Sequence, residues 1–174
     1  MKQINTTLGP INSDQLGKVN VHEHVTIDRS QNQNIPEAFD HTDINLLVPE
    51  LRGWKQAGGG AIVDSSPMGV GRNINFLNEA SRSAQIPFIV SSGFHKLSYY
   101  PKTHWVFSAP ADMIREILDK ECTSGVLVDD EHPQISKRNS TKANILKIGF
   151  DKTGLTPTLL KIIQAVTKTS NNLD

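Results

Sequence analysis

Along the chain, short apolar runs alternate with longer stretches in which apolar residues recur at helical spacing, the pattern of consecutive βα units around a parallel sheet. Four such units can be drawn from residue 19 onward. The first joins a strand near 19–25 to a helix near 43–57 that carries Ile44, Leu47, Leu51 and Trp54; a loop rich in Asn, Gln and Asp lies between them, and Gly58-Gly59-Gly60 ends the helix. The second is a strand over 61–64, a turn-rich segment over 65–72 and a helix near 73–84 with Ile74, Leu77 and Ala80 on one face. A third strand over 88–91 runs into Gly93-Phe94-His95, then a long polar and aromatic loop and a proline-started helix near 110–121. The fourth strand covers 143–149, and Thr156-Pro157 opens a last helix with a cap residue and a first-turn proline, fading into 170–174.

The first strand holds the most informative pair. His22 and His24 stand at i and i+2, so both project from one face while Glu23 points the other way. Two imidazoles on one face can grip one metal, but a catalytic metal takes at least three protein ligands and an open position, so the pair is a fraction of a site. Asp64 ends the second strand, His95 follows the third, and Lys147 lies near the end of the fourth, which gathers all of them at one rim. Long loops after each strand are what the catalytic face of an eight-unit barrel presents; four strands alone also make a small open sheet. Such a barrel takes about 250 residues, so the chain reads as its first half. Ile145, Lys147 and Gly149 share a strand face, where an inward lysine is costly unless neutralised or paired. Carbamylation would convert it into an anion.

Composition narrows the class. With 174 residues, 37% apolar and 21% charged, the chain is long enough to bury one core, and one domain over 1–174 is expected. Lys plus Arg and Asp plus Glu both number 18, so no net field favours nucleic acid or an anionic membrane. The start lacks the apolar core of a signal peptide and no window reaches the length of a membrane span, so a cytoplasmic location is expected. Cys122, without a partner for an internal disulfide, is expected to be a small packing residue.

Other polar residues have two readings each. Asp64 either caps its loop or pairs with Arg72. Arg72, in a Gly-x-Gly-Arg turn, lacks the spacing of a P-loop or a dinucleotide fingerprint, and a structural role is expected. His95 lines a pocket or faces solvent; Trp105 and Phe107 line a pocket or pack the rim. His41, His104 and His132 are scattered without ligand spacing.

Five ordered motifs carry a resemblance that spans nearly the whole chain: Leu16-Gly17 before His22-Glu23-His24; Val63-Asp64 with Gly69-Val70-Gly71-Arg72; Ser92-Gly93-Phe94; the run from Lys142 to Gly149; and Gly154-Leu155-Thr156-Pro157. In these the chain resembles the phosphotriesterase-like and lactonase branch of the amidohydrolase superfamily, N-terminal half only. The resemblance implies an α/β fold, about four βα units of a TIM-type (β/α)8 barrel truncated before strand five. It implies two divalent metal ions, zinc first, with manganese or cobalt as alternatives. His22 and His24 would bind one of them, and a carboxylated Lys147 would bridge both as the catalytic lysine. A hydroxide between the metals would attack the phosphorus or carbonyl centre of a small-molecule phosphoester, lactone or carboxylic ester.

The family then supplies one histidine from each of strands five and six and an aspartate from strand eight, all expected beyond Asp174. Asn73, His95 and Asn144 also depart from residues common in the family at those places. Two outcomes follow. The chain works as part of a longer chain or with a complementing C-terminal half, or it is a non-catalytic remnant that binds metal weakly or associates, as a homodimer for example, through the exposed edges of strands one and four.

Overall fold

The computed structural model describes residues 2–30, 32, 35–129 and 131–173. Gln31, Gln33 and Asn34 of the polar loop, together with Asp130 and Asp174, lie outside the described residues.

A short antiparallel pair, β1 (Gln3–Ile4) and β2 (Ile11–Asn12), precedes the repeating units. The units follow as β3 (Lys18–Glu23), α1 (Ile44–Gln56), β4 (Gly59–Asp64), α2 (Ile74–Ala84), β5 (Phe88–Phe94), α3 (Ala111–Thr123), β6 (Ala143–Ile148) and α4 (Pro157–Leu173). Strands β3-β4-β5-β6 lie side by side in chain order and all pair in parallel. Parallel pairing sends every strand's C-terminal end to the same rim. The register aligns Glu23 with Asp64, Asp64 with Val90 and Gly93 with Lys147.

Helices α1, α2 and α4 start where short polar side chains can satisfy their first free amides, whereas α3 follows Pro110 without a side-chain cap. Asp43 accepts from the Asn45 amide at 2.9 Å and Asn73 from the Phe76 amide at 3.1 Å. Thr156 Oγ1 accepts from Leu159 at 3.2 Å, with Pro157 at the first helical position. The apolar stripe of α2, Ile74, Leu77, Ala80 and Ala84, packs with Leu51 of α1 against Ile62, Phe88 and Val90. Cys122 joins this core as a buried thiol. A second core gathers Met68, Val70 and Phe94 with Ile114 and Leu118 of α3 and Ile162 and Ala165 of α4. Each fully buried aliphatic side chain contributes about 1.5–3 kcal/mol, so α2 and α3 are held on the sheet chiefly by these stripes.

Several boundaries differ from those expected, β4 beginning already at Gly59 and β6 ending at Ile148 among them. Strand β3 stops at Glu23, so His24 sits just past its end. Strand β5 continues to Phe94 because Ser92, Gly93 and Phe94 stay buried and paired with β6. The last helix does not fade at Ser170: α4 runs to Leu173, and buried Thr169 ties its end to α3 by donating to Asp119 Oδ1 at 2.6 Å.

Gly93 has φ of +104°, and a Cβ there would run into the backbone of Lys147. Glycine is therefore what lets β6 approach β5 at the residue that bears the rim lysine. The outer strands β3 and β6 have one hydrogen-bonded neighbour each in this sheet, and Val21 on β3 is 75% exposed. Among the described residues no helix is long and apolar enough to cross a membrane.

Candidate functional site

The rim brings His22, His24, His95 and Lys147 into one neighbourhood. The rings of His22 and His24 lie 5.5 Å apart between centroids, in agreement with the i, i+2 reading. The His95 ring is 6.0 Å from that of His24 and 4.9 Å from that of Tyr99. Lys147 reaches across from β6 and donates from Nζ to the carbonyl oxygen of Ser65 at 2.7 Å.

Burial sets the protonation of this group. The His24 imidazole is half-buried, and desolvation, with the charges of Lys147 and His22 adding to it, lowers its pKa to about 4. Desolvation and Lys147 lower His95 to about 4 as well. Both rings are neutral near pH 7, the state in which imidazole offers a lone pair. Lys147 is pushed below the usual lysine range by burial, against the opposing pull of Asp64. A lysine moved towards the free amine is the form that reacts with carbon dioxide.

Asp64 is the second centre of the site. It is fully buried, and desolvation raises its pKa to about 7 although hydrogen bonds from Val25 and Ser66 favour the carboxylate. Its Oδ1 accepts from the Val25 amide at 3.0 Å and contacts Ser66 Oγ at 3.2 Å. Its Oδ2 has no hydrogen-bond partner among the described residues. Of the two readings of Asp64, holding the loop is the observed one. Arg72 does not pair with it; both guanidinium nitrogens bind the buried carboxylate of Glu121, at 2.6 and 2.9 Å, which makes Arg72 the structural residue expected.

Ser66 was not among the residues singled out from the sequence. Its hydroxyl lies 3.0 Å from His24 Nδ1. Two consecutive serines directly after a strand-ending aspartate are the one signal that marked it, since small hydroxyls at a strand end often bind neighbouring groups.

Beside His24 and His95 opens a cavity of about 210 Å³, lined also by Ile27, Ile35, Phe39, Val70 and Tyr99. His95 is therefore a pocket residue. Trp105 packs edge-on to Phe94 at 5.7 Å, and Trp105 and Phe107 both pack on the second core, so they support the rim. His104 caps a short helical turn by accepting from the Val106 amide, His41 bridges to Ile27, and His132 is exposed. Among the described residues no group of three or more His, Cys, Asp or Glu is arranged to hold a metal. The side chains at this rim that could offer nitrogen donors to a metal are His22 on β3 and His24 just past its end.

Fold and rim together define a class: four consecutive βα units of an α/β barrel, with paired histidines at the end of the first parallel strand and a half-buried lysine on the fourth. The chain belongs to the phosphotriesterase family, whose model matches residues 2–174. It is 25% identical over 172 residues to a phospho-furanose lactonase of Mycoplasmopsis agalactiae, covering 97% of this chain and 49% of that protein. It is 29% identical over 169 residues to a phosphotriesterase homology protein of Mycobacterium tuberculosis, covering 95% and 50%. Among solved structures, an amidohydrolase from Mycoplasma synoviae superposes with a TM-score of 0.86 at 26% identity, covering 97% of this chain and 49% of that one. A lactonase from Listeria monocytogenes shares the fold with a TM-score of 0.77 at 21% identity. The chain spans about half the length of the curated relatives it matches.

Proposed function

We propose that residues 1–174 form a single partial domain carrying the N-terminal half of a metal-dependent ester hydrolase site. His22 and His24 are its first metal ligands, and Lys147, carboxylated, bridges two divalent ions, zinc first and manganese or cobalt as alternatives. The observation that carries this reading is the meeting of His22, His24 and a half-buried, pKa-lowered Lys147 at one rim.

The residues fit the group. His24 is neutral near pH 7 and offers a ring nitrogen. Lys147 sits where burial disfavours its ammonium, and carboxylation replaces that charge with an oxygen donor pair suited to bridging. The remaining ligands would come from strands five, six and eight, in a longer chain or a complementing C-terminal half. When bound, the metals would polarise the scissile phosphoryl or carbonyl oxygen and lower the pKa of water. The apolar cavity beside His24 and His95 would orient the substrate and keep bulk water from its non-reacting part. Substrates are small phosphoesters, lactones or carboxylic esters, and the names of the relatives put lactones first in an assay. A cytoplasmic location accompanies this reading.

The test is complementation. Combined with a C-terminal half that supplies the remaining strands, the chain is expected to hydrolyse a lactone only when divalent metal is present, and His22→Ala or Lys147→Ala to abolish turnover. Undiminished activity in both variants removes the assigned site. The exposed Val21 edge favours a second reading, a non-catalytic chain that associates through β3 and β6.

A further inference from the structure

We infer that Ser66, backed by Asp64, is a positioning residue that holds His24 as its Nδ1–H tautomer and so leaves Nε2 as the lone-pair nitrogen for a metal. This rests on the metal-site reading above but is reached from proton bookkeeping around one hydroxyl.

Ser66 is fully buried and its Oγ has three polar neighbours: His24 Nδ1 at 3.0 Å, Asp64 Oδ1 at 3.2 Å and the Thr26 carbonyl oxygen at 3.3 Å. A hydroxyl has one proton to give. The Thr26 carbonyl can only accept. Asp64 Oδ1 already accepts the Val25 amide, so any proton on Asp64 sits on Oδ2, and Oδ1 also only accepts. If Ser66 gave its proton to His24, two acceptor oxygens would face its lone pairs in a buried site with nothing between them, the costly arrangement for buried polar groups. The Ser66 proton therefore goes to Asp64 or Thr26, and its lone pair receives the proton on His24 Nδ1. The hydrogen bond at one ring nitrogen sets what the other can do, and here it frees Nε2.

His95 provides the contrast within the same site. Its Nδ1 accepts the Lys96 amide at 2.8 Å, which puts the proton of the neutral ring on Nε2. Two neighbouring imidazoles are thus held in opposite tautomers by opposite partners. One offers a lone pair at Nε2, and the other offers a donor.

Nitrogen-15 spectra of the metal-free 174-residue chain, labelled in its histidines, read this directly near pH 7. The expected result is a pyrrole-type Nδ1 for His24, the minority form of free imidazole in water, and a pyrrole-type Nε2 for His95. Ser66→Ala is expected to return His24 to the Nε2–H form with the amide spectrum otherwise intact, and Ser66→Thr to restore the native tautomer. In zinc titrations monitored by dialysis, Ser66→Ala should bind about 10- to 100-fold more weakly, the usual cost of losing an outer partner of a ligating histidine. An Nε2–H His24 in the unsubstituted chain overturns the inference and leaves the metal site untouched, as does unchanged zinc affinity in Ser66→Ala. No zinc uptake by a chain with the stated tautomers overturns the metal reading instead.

Discussion

Lys147 and Ser65 meet across the rim, the lysine on β6 donating to the carbonyl of the residue that follows β4 at 2.7 Å. The contact crosses over the intervening strand β5, where Gly93 gives the backbone room. Lys147 is thereby held near His24 in an environment that disfavours its charge.

The carboxylation proposed for Lys147 is favoured by that environment, which disfavours the ammonium. The free amine adds to carbon dioxide, forming an N–C bond and releasing one proton to solvent. With carbon-13 bicarbonate and zinc, one carbamate signal is expected in the chain and none in Lys147→Ala. A signal unchanged in the variant would assign the carbamate to another lysine.

Stability should rise with pH as His24 and His95 lose their protons. Both have folded pKa values near 4 against an ordinary 6.5, so between these values the unfolded chain binds more protons than the folded one. Their contribution is complete above pH 6.5 and is lost as pH falls towards 4. Urea midpoints across this range should show a positive slope, made shallower by His95→Asn. An equal slope in that variant would contradict the burial of His95.

The Arg72–Glu121 pair should be the costliest single polar contact to break. Burial alone would raise the pKa of Glu121; the Arg72 guanidinium and the Leu127 amide outweigh it and hold the carboxyl below the usual glutamate range. Glu121→Gln or Arg72→Ala leaves a buried partner uncompensated, at a cost of about 3–5 kcal/mol in denaturant unfolding. The sign with pH is the same as for the histidines: the pair's contribution is present above the ordinary glutamate pKa and is lost as pH falls through the lower folded value. Glu121→Gln should abolish that acid limb.

Gly93→Ala should destabilise the chain by more than ~1 kcal/mol, because alanine resists a φ of +104° and its Cβ meets the Lys147 backbone. The same variant should weaken zinc uptake by displacing Lys147. A melting temperature equal to that of the unsubstituted chain would refute this account of the β5–β6 approach.

Much of this was legible in the sequence for a physical reason. Alternation around Val19 to Val25 put His22 and His24 on one face, and the apolar stripes of α1 and α2 announced their packing. Apolar periodicity repeats locally, so it survives without knowledge of the fold. The Arg72–Glu121 pair spans 49 residues, and only the packing of α3 on the sheet brings it together. Ser66 escaped notice because its role depends on Asp64 at the end of β4 meeting His24 and Thr26, which lie just past β3. The β1–β2 pair has two residues in each strand, too few for a pattern to register. The length of β5 was missed because Ser92-Gly93 looks like a turn until β6 covers it.

The most direct test of the central claim is cobalt(II) titration of the bicarbonate-equilibrated chain, followed by the visible absorption of the bound ion. The account predicts a saturable band that is lost in His22→Ala and His24→Ala and altered in Lys147→Ala. A chain that develops no band, or the same band in all three variants, contradicts a metal half-site at this rim.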